Sequence, residues 1–295
     1  MSDVLAPAAC VTGSLPQAHG LPAQTIRIPA ARGLSLFAWF VPALAAGPRP
    51  TIVLLHGWCG NAGDFLPAAH ALHQAGFAVL LIESRNHGRS DWDDHSSLPR
   101  FAEDLDSAID WLKTLALVDT KRIVALGHSV GAAAVLLSAS RRHDLAAVVS
   151  ISAFAHPEQV MRRWFALRSV PYWPLAWLIN RALERVIGAS FDDIAPVNTV
   201  AKSTCPVLLV HGRQDTVVPI SDAHQIKKRG KAPNVTLIEC DGSHDRFDDV
   251  DSITRNILDF VEGAVNAPLT HPACRMSRDG KAIKDAALGA HASLS

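Results

Sequence analysis

The chain has 295 residues, with 28 basic and 28 acidic side chains and a formal net charge of zero. Hydrophobic residues make up 48% and charged ones 19%, which suits one large folded domain and excludes a disordered chain. Balanced charge offers no field for a polyanion, so no nucleic-acid partner is expected.

Residues 1–23 are small, Pro-bearing and aperiodic, and read as a loose, flexible arm. They begin MSDVLAPAAC, with an acid at position 3 and no basic stretch, which does not fit a secretory signal. TIRIPA and LSLFAWFVP flank a turn at 31–33 and predict a strand pair. TIVLL (51–55) is a short apolar strand, 62–76 has helical spacing ending in Gly76, and FAVLLIE (77–83) is the next strand. Apolar residues at 101, 105, 108, 109, 112 and 115 predict a helix over 101–115. RIVALG (122–127) reads as a strand, VGAAAVLLSAS (130–140) as a helix and 144–153 as a strand. The alternation resumes with strand 206–212, helix 219–230, strand 234–240 and helix 248–265. Continuously apolar strands alternating with helices predict a parallel sheet covered on both faces.

About fifty residues separate the strand ending near Ala153 from the one starting near Pro206, longer than an ordinary connection. They read as two or three helices broken at Pro171 and Pro174, an insertion over one edge of the sheet. The domain plan is therefore core 24–153, helical cap 154–204, core 205–265 and a peripheral tail 266–295. No apolar run reaches the roughly 18–20 residues that span a bilayer.

G-H-S-V-G (127–131) places Ser129 on the turn from a strand into a helix. That context makes a common pentapeptide specific, because the sharp elbow is what exposes the hydroxyl. A serine nucleophile needs a base, and the base an orienting acid. Asp215 lies just past strand 206–212, and His244 just past strand 234–240. Parallel strands bring those ends to one rim, in the order Ser129, Asp215, His244. Asp241 and Asp245 compete for the acid's role, but a neighbour in the same loop reaches poorly behind the imidazole. His19, His70, His73, His95, His143, His156 and His224 read as surface or packing residues. The Val130 and Trp58 N–H groups are the expected oxyanion donors, and the Trp58 side chain either walls the acyl pocket or packs on the sheet edge.

Cys10, Cys59, Cys205, Cys240 and Cys274 contain no C-x-x-C pair, which argues against a disulfide framework and a redox site. Reduced thiols fit a cytoplasmic location. Cys59 lacks a helix-start context like that of Ser129. There is no H-E-x-x-H, and His56, His87 and His128 stand on separate elements, so no metal is expected. No phosphate-binding glycine loop follows a strand, and no cofactor is implied. E-S-R-N-H-G-R-S (83–90) reads as a loop held by arginine hydrogen bonds rather than an anion site.

These five ordered segments, H-G-W-C-G, E-S-R-N-H-G-R-S, G-H-S-V-G, H-G-R-Q-D-T-V-V-P and G-S-H-D, resemble the α/β-hydrolase fold superfamily over residues 24–263. The resemblance implies an eight-stranded, mostly parallel sheet with helices on both faces and a mobile helical cap after strand six. It also implies Ser129, Asp215 and His244 as the triad, with the Trp58 and Val130 amides as oxyanion hole. Glu83 and Asn86 depart from the commoner D-x-R-G-x-G-x-S form of the second segment. Serine at the elbow, rather than aspartate, separates the chain from haloalkane dehalogenases and epoxide hydrolases. The expected activity is hydrolysis of small or medium acyl esters, a small-molecule substrate. Thioesterase, amidase, C–C bond hydrolase, perhydrolase and non-catalytic pseudo-hydrolase are the alternatives. Trp164, Phe165, Tyr172, Trp173 and Trp177 suggest an apolar roof, about two of them touching substrate. The excess of Arg162, Arg163, Arg168, Arg181 and Arg185 over Glu158 and Glu184 reads as a solvated face, or as attraction for an anionic acyl group or a lipid surface.

Overall fold

The sheet follows from the apolar runs. β1 (Gln24–Pro29), β2 (Ser35–Val41), β3 (Arg49–Leu55), β4 (Ala78–Ile82), β5 (Val118–His128), β6 (Ala147–Ile151), β7 (Val207–Gly212) and β8 (Val235–Cys240) form one eight-stranded sheet. Their order is β1-β2-β4-β3-β5-β6-β7-β8. β1 and β2 pair antiparallel to each other, β2 antiparallel to β4, and the remaining pairs are parallel. This computed structural model describes residues 13–231 and 233–267. The expectations for residues 1–12 and 268–295, with Cys10 and Cys274, fall outside the described residues.

The helices are α1 (Leu66–Gln74), α2 (Leu98–Leu112), α3 (Val130–Ala139), α4 (Pro157–Ala166), α5 (Trp177–Ile187), α6 (Phe191–Ile194), α7 (Pro196–Thr199), α8 (Ile220–Arg229) and α9 (Val250–Asn266). Strand residues alternate between two buried layers, as a period of two requires. Val53, Leu55, Ile123 and Ala125 face α2, α3 and α8, whereas Ile52, Leu54, Val124 and Leu126 face α1 and α9. Both faces are covered, which explains strands without a polar side. α3 is buried around nearly its whole circumference, the mark of a central helix.

Two helix starts differ from the sequence expectation by three residues or more. Residues 62–65 form a separate 3₁₀ turn, capped by Asn61 and Asp64, and α1 begins at Leu66 with Pro67 in its first turn. α2 begins at Leu98 rather than 101, with Pro99 in the first turn, where a missing N–H costs nothing. The described part of the expected loose arm is also packed. Pro16 and Leu21 are buried, and Leu21 joins the α1/α9 layer. Burial of one leucine is enough to hold a short 3₁₀ segment that has no period of its own.

Between β6 and β7 lies the helical insertion, α4 to α7. The prolines at 171 and 174 fall in the break between α4 and α5. Arg163 on α4 pairs with Asp222 on α8 at 3.0 Å, and the same carboxylate accepts the Ala155 N–H at 3.0 Å. Arg163 therefore ties the insertion to the core rather than lying on a solvated face. No helix among the described residues is long and apolar enough to cross a membrane.

Candidate active site

β5 ends at His128 and α3 begins at Val130, leaving Ser129 alone on the turn with φ 54° and ψ −115°. A non-glycine residue there is strained, and the surroundings enforce it. A Cβ on Gly127 would lie 2.3 Å from the Gly131 carbonyl oxygen, and one on Gly131 would lie 2.4 Å from the oxygens of Leu55 and His56. Only glycine allows the elbow to close this tightly against the end of β3.

The loops after β7 and β8 meet Ser129. His244 Nε2 lies 3.0 Å from Ser129 Oγ, and its Nδ1 lies 2.7 Å from Asp215 Oδ2. The Val217 and Val218 N–H groups donate to Asp215 Oδ1 at 2.9 and 2.7 Å. Burial pushes the Asp215 carboxyl up, but the neighbouring His211 and His244 rings and the Val218 amide outweigh it. The net effect holds this carboxyl below the usual carboxylate range, so it is ionised. Asp241 instead meets Arg213 and Gln214, and Asp245 is an exposed neighbour of His128 at 3.7 Å.

The Gly57 carbonyl is fixed by two donors, His56 Nδ1 at 2.7 Å and the Gly60 N–H at 3.0 Å. A planar trans peptide then turns the Trp58 N–H the opposite way. Gly57 sits against Ser129, since a Cβ on it would lie 3.1 Å from Ser129 Cβ. The Val130 N–H is the first amide of α3, without an intrahelical acceptor. The Trp58 ring stacks on Phe101 at 6.3 Å and meets His87 edge-on at 5.7 Å.

His56 and His87, expected to stand apart, are neighbours at 4.9 Å. The Ser84 N–H donates to His56 Nε2 at 3.1 Å, and His87 Nδ1 donates to the Arg85 carbonyl at 2.9 Å. Burial lowers His56 to about 4, against an upward pull from the Gly57 carbonyl and with help from His128. It lowers His87 to about 3, helped by His56. Both rings are neutral struts beneath the Trp58 loop. The 83–90 segment is pinned by arginines. Arg85 is buried against Asp104, Asp93 and Glu103, and Arg89 bonds Glu83 while lying 3.6 Å from the Phe37 ring centre. Asn86 has φ 64°, the left-handed conformation that asparagine tolerates in place of glycine.

Three further residues complete the surroundings, of which only His128 was considered from sequence, as an isolated metal-ligand candidate. His211 Nε2 lies 3.4 Å from Asp215 Oδ2 while donating to the Val218 carbonyl at 2.8 Å. His128 Nε2 lies 2.9 Å from the His244 carbonyl, and Ser152 Oγ donates to that oxygen at 3.2 Å. His211 leaves an i,i+4 spacing to Asp215 as a sequence signal, whereas the other two leave none. Donor atoms of His128, His244 and Asp245 lie within 4.8 Å of one another. Both His244 nitrogens are already engaged, and His128 Nε2 is turned to a carbonyl, so the trio is spoken for.

The cap aromatics separate. Phe165 is buried, Trp173 is 68% exposed, and Trp177 packs on Trp173 at 5.3 Å. Tyr172 donates to Glu158 under the Arg162 guanidinium, and Trp164 lies beneath Arg168. Cys59 is exposed with φ 59°.

Elbow, sheet order and helical insertion together give this chain the α/β-hydrolase superfamily fold, in a serine-hydrolase-like form. The family described as serine aminopeptidase, S33, matches residues 46–190, just under half of the chain. The uncharacterized protein YfhR of Escherichia coli (strain K12) is 28% identical over 253 residues, 83% of this chain and 82% of that protein. Among solved structures, the Pyrococcus furiosus esterase Pf2001 superposes with a TM-score of 0.71 at 21% identity, over 87% of this chain and 98% of that one. Est1E from Butyrivibrio proteoclasticus, with ferulic acid bound, gives a TM-score of 0.62 at 22% identity, over 81% and 99%. At these identities the structural likeness is one of fold.

Proposed function

We propose that the chain is a serine esterase acting on small or medium acyl esters through an acyl-enzyme. The observation behind this reading is the His244 imidazole bridging Ser129 Oγ at 3.0 Å and Asp215 at 2.7 Å. His244 takes the hydroxyl proton as Ser129 attacks the ester carbonyl. The oxyanion accepts hydrogen bonds from the Trp58 and Val130 N–H groups, each worth about 3 kcal/mol of barrier. His244 then returns the proton to the departing alcohol, and water releases the acid by the same route. Ionised Asp215 fixes the imidazole and balances the charge it gains. One fold neighbour, Pf2001, is called an esterase, which supports an ester as substrate, while the matching family is named for aminopeptidase action.

Two measurements test this. A fluorophosphonate is expected to add to Ser129, seen by peptide mass spectrometry, and an unlabelled Ser129 in folded protein would point to a pseudo-hydrolase. A rate panel of p-nitrophenyl esters from acetate to palmitate, with amide, thioester and β-diketone counterparts, is expected to favour short and medium esters. Turnover confined to another member of the panel moves the substrate class and keeps the triad.

A further inference from the structure

We propose that His128 is a positioning residue whose ring N–H grips the His244 carbonyl and so keeps the base aligned on Ser129. This rests on the reading of Ser129 and His244 given above. His128 precedes the nucleophile in sequence, yet its bond runs to a residue 116 positions away, at 2.9 Å. A carbonyl oxygen only accepts, so Nε2 carries the proton and Nδ1 is the bare nitrogen. That bare side faces the oxyanion loop, where a Cβ on Gly57 would lie 3.3 Å from Nδ1. The ring is thus wedged between the loop that holds the oxyanion and the loop that holds the base.

Two further observations fit. Ser152 donates to the same carbonyl at 3.2 Å from the end of β6, in a left-handed backbone with φ 56°. Asp215 controls the His244 ring from Nδ1, and the paired donors control its backbone, so the imidazole is held at both ends. The His128 and His244 ring centres lie only 4.9 Å apart. A charged His128 would oppose the imidazolium formed when Ser129 attacks. The charged or titratable groups around it are His244, Asp215, Asp245 and His56. Burial, the largest influence, keeps His128 below its ordinary value, with the His244 carbonyl and the two carboxylates pulling the other way. A neutral ring that donates from Nε2 is the form the geometry needs.

The test compares His128→Leu, which removes the donor at similar bulk, with His128→Gln, whose amide N–H can reach the Nε2 position. Misplacing a reacting group by about 1 Å costs on the order of 10²-fold, so the leucine variant is expected to lose roughly 10- to 100-fold in kcat with KM and Tm nearly unchanged. Glutamine is expected to recover most of that loss, and adding Ser152→Ala to His128→Leu is expected to deepen it. The far-downfield proton resonance of the His244–Asp215 bond is expected to broaden in His128→Leu and survive in His128→Gln. Wild-type kcat and an unchanged resonance in His128→Leu would overturn the inference, as would glutamine failing as badly as leucine. The resonance reads the grip without turnover. Full activity in Ser129→Ala would therefore sink the esterase reading and leave this measurement meaningful.

Discussion

The hydroxyl of Ser129 is exposed to a base because its backbone sits where few side chains are tolerated, at φ 54°. Asp215→Asn leaves the shape but removes the charge that fixes the His244 ring, so kcat is expected to fall about 10⁴-fold with little change in KM. Steady-state kinetics on the p-nitrophenyl substrate checks this. Gly131→Ala is a steric test of the same elbow. Its methyl would overlap two carbonyl oxygens at 2.4 Å, and overpacking of this kind costs about 1–3 kcal/mol or more. Urea unfolding is expected to show that loss, with activity falling further than stability alone explains. Ser129, Asp215 and His244 were readable in the sequence because each follows the end of a recognisable strand. His128 and Ser152 were not, since their partner is a main-chain carbonyl on a distant loop, which no side-chain pattern encodes.

At the scale of elements, the sheet and the helical insertion were legible, whereas the parts played by the insertion's aromatic side chains were not. Apolar runs fix a strand whichever neighbour it pairs with, whereas cap aromatics become roof, packing or surface only through the angle of their helices. Trp173 ends up outside and Phe165 inside, eight residues apart on comparable sequence. Helix α5 shows the same limit through Asn180, which is buried with neither amide atom hydrogen-bonded among the described residues. Leaving such a group unpaired costs about 1–3 kcal/mol, so Asn180→Leu is expected to raise Tm. A fall in Tm by calorimetry would mean that the amide has a partner in solution.

At the scale of the molecule, buried histidines couple stability to pH. An unfolded imidazole titrates near 6.5, whereas folded His56 titrates near 4 and His87 near 3. Between those limits the unfolded chain binds more protons, so stability rises with pH and is lost on acidification from about 6.5 toward 4 and below. The lowered Asp215 carboxyl acts in the same direction at lower pH. Calorimetry is expected to show Tm falling as pH drops from 7 to 4. His87→Gln should flatten that slope by up to one proton's worth, about 1.4 kcal/mol per pH unit. An unchanged slope would place the titration elsewhere.

The alcohol and the imidazole it meets are 115 residues apart in the chain, and the strand that precedes the imidazole is the sheet's last in chain order and lies at its edge. A polypeptide emerging from the ribosome therefore carries Ser129 long before anything can deprotonate it. Under the proposed mechanism, reactivity waits for the loop after β8 that carries His244, so a product ending before β8 is expected to present the elbow and remain inert.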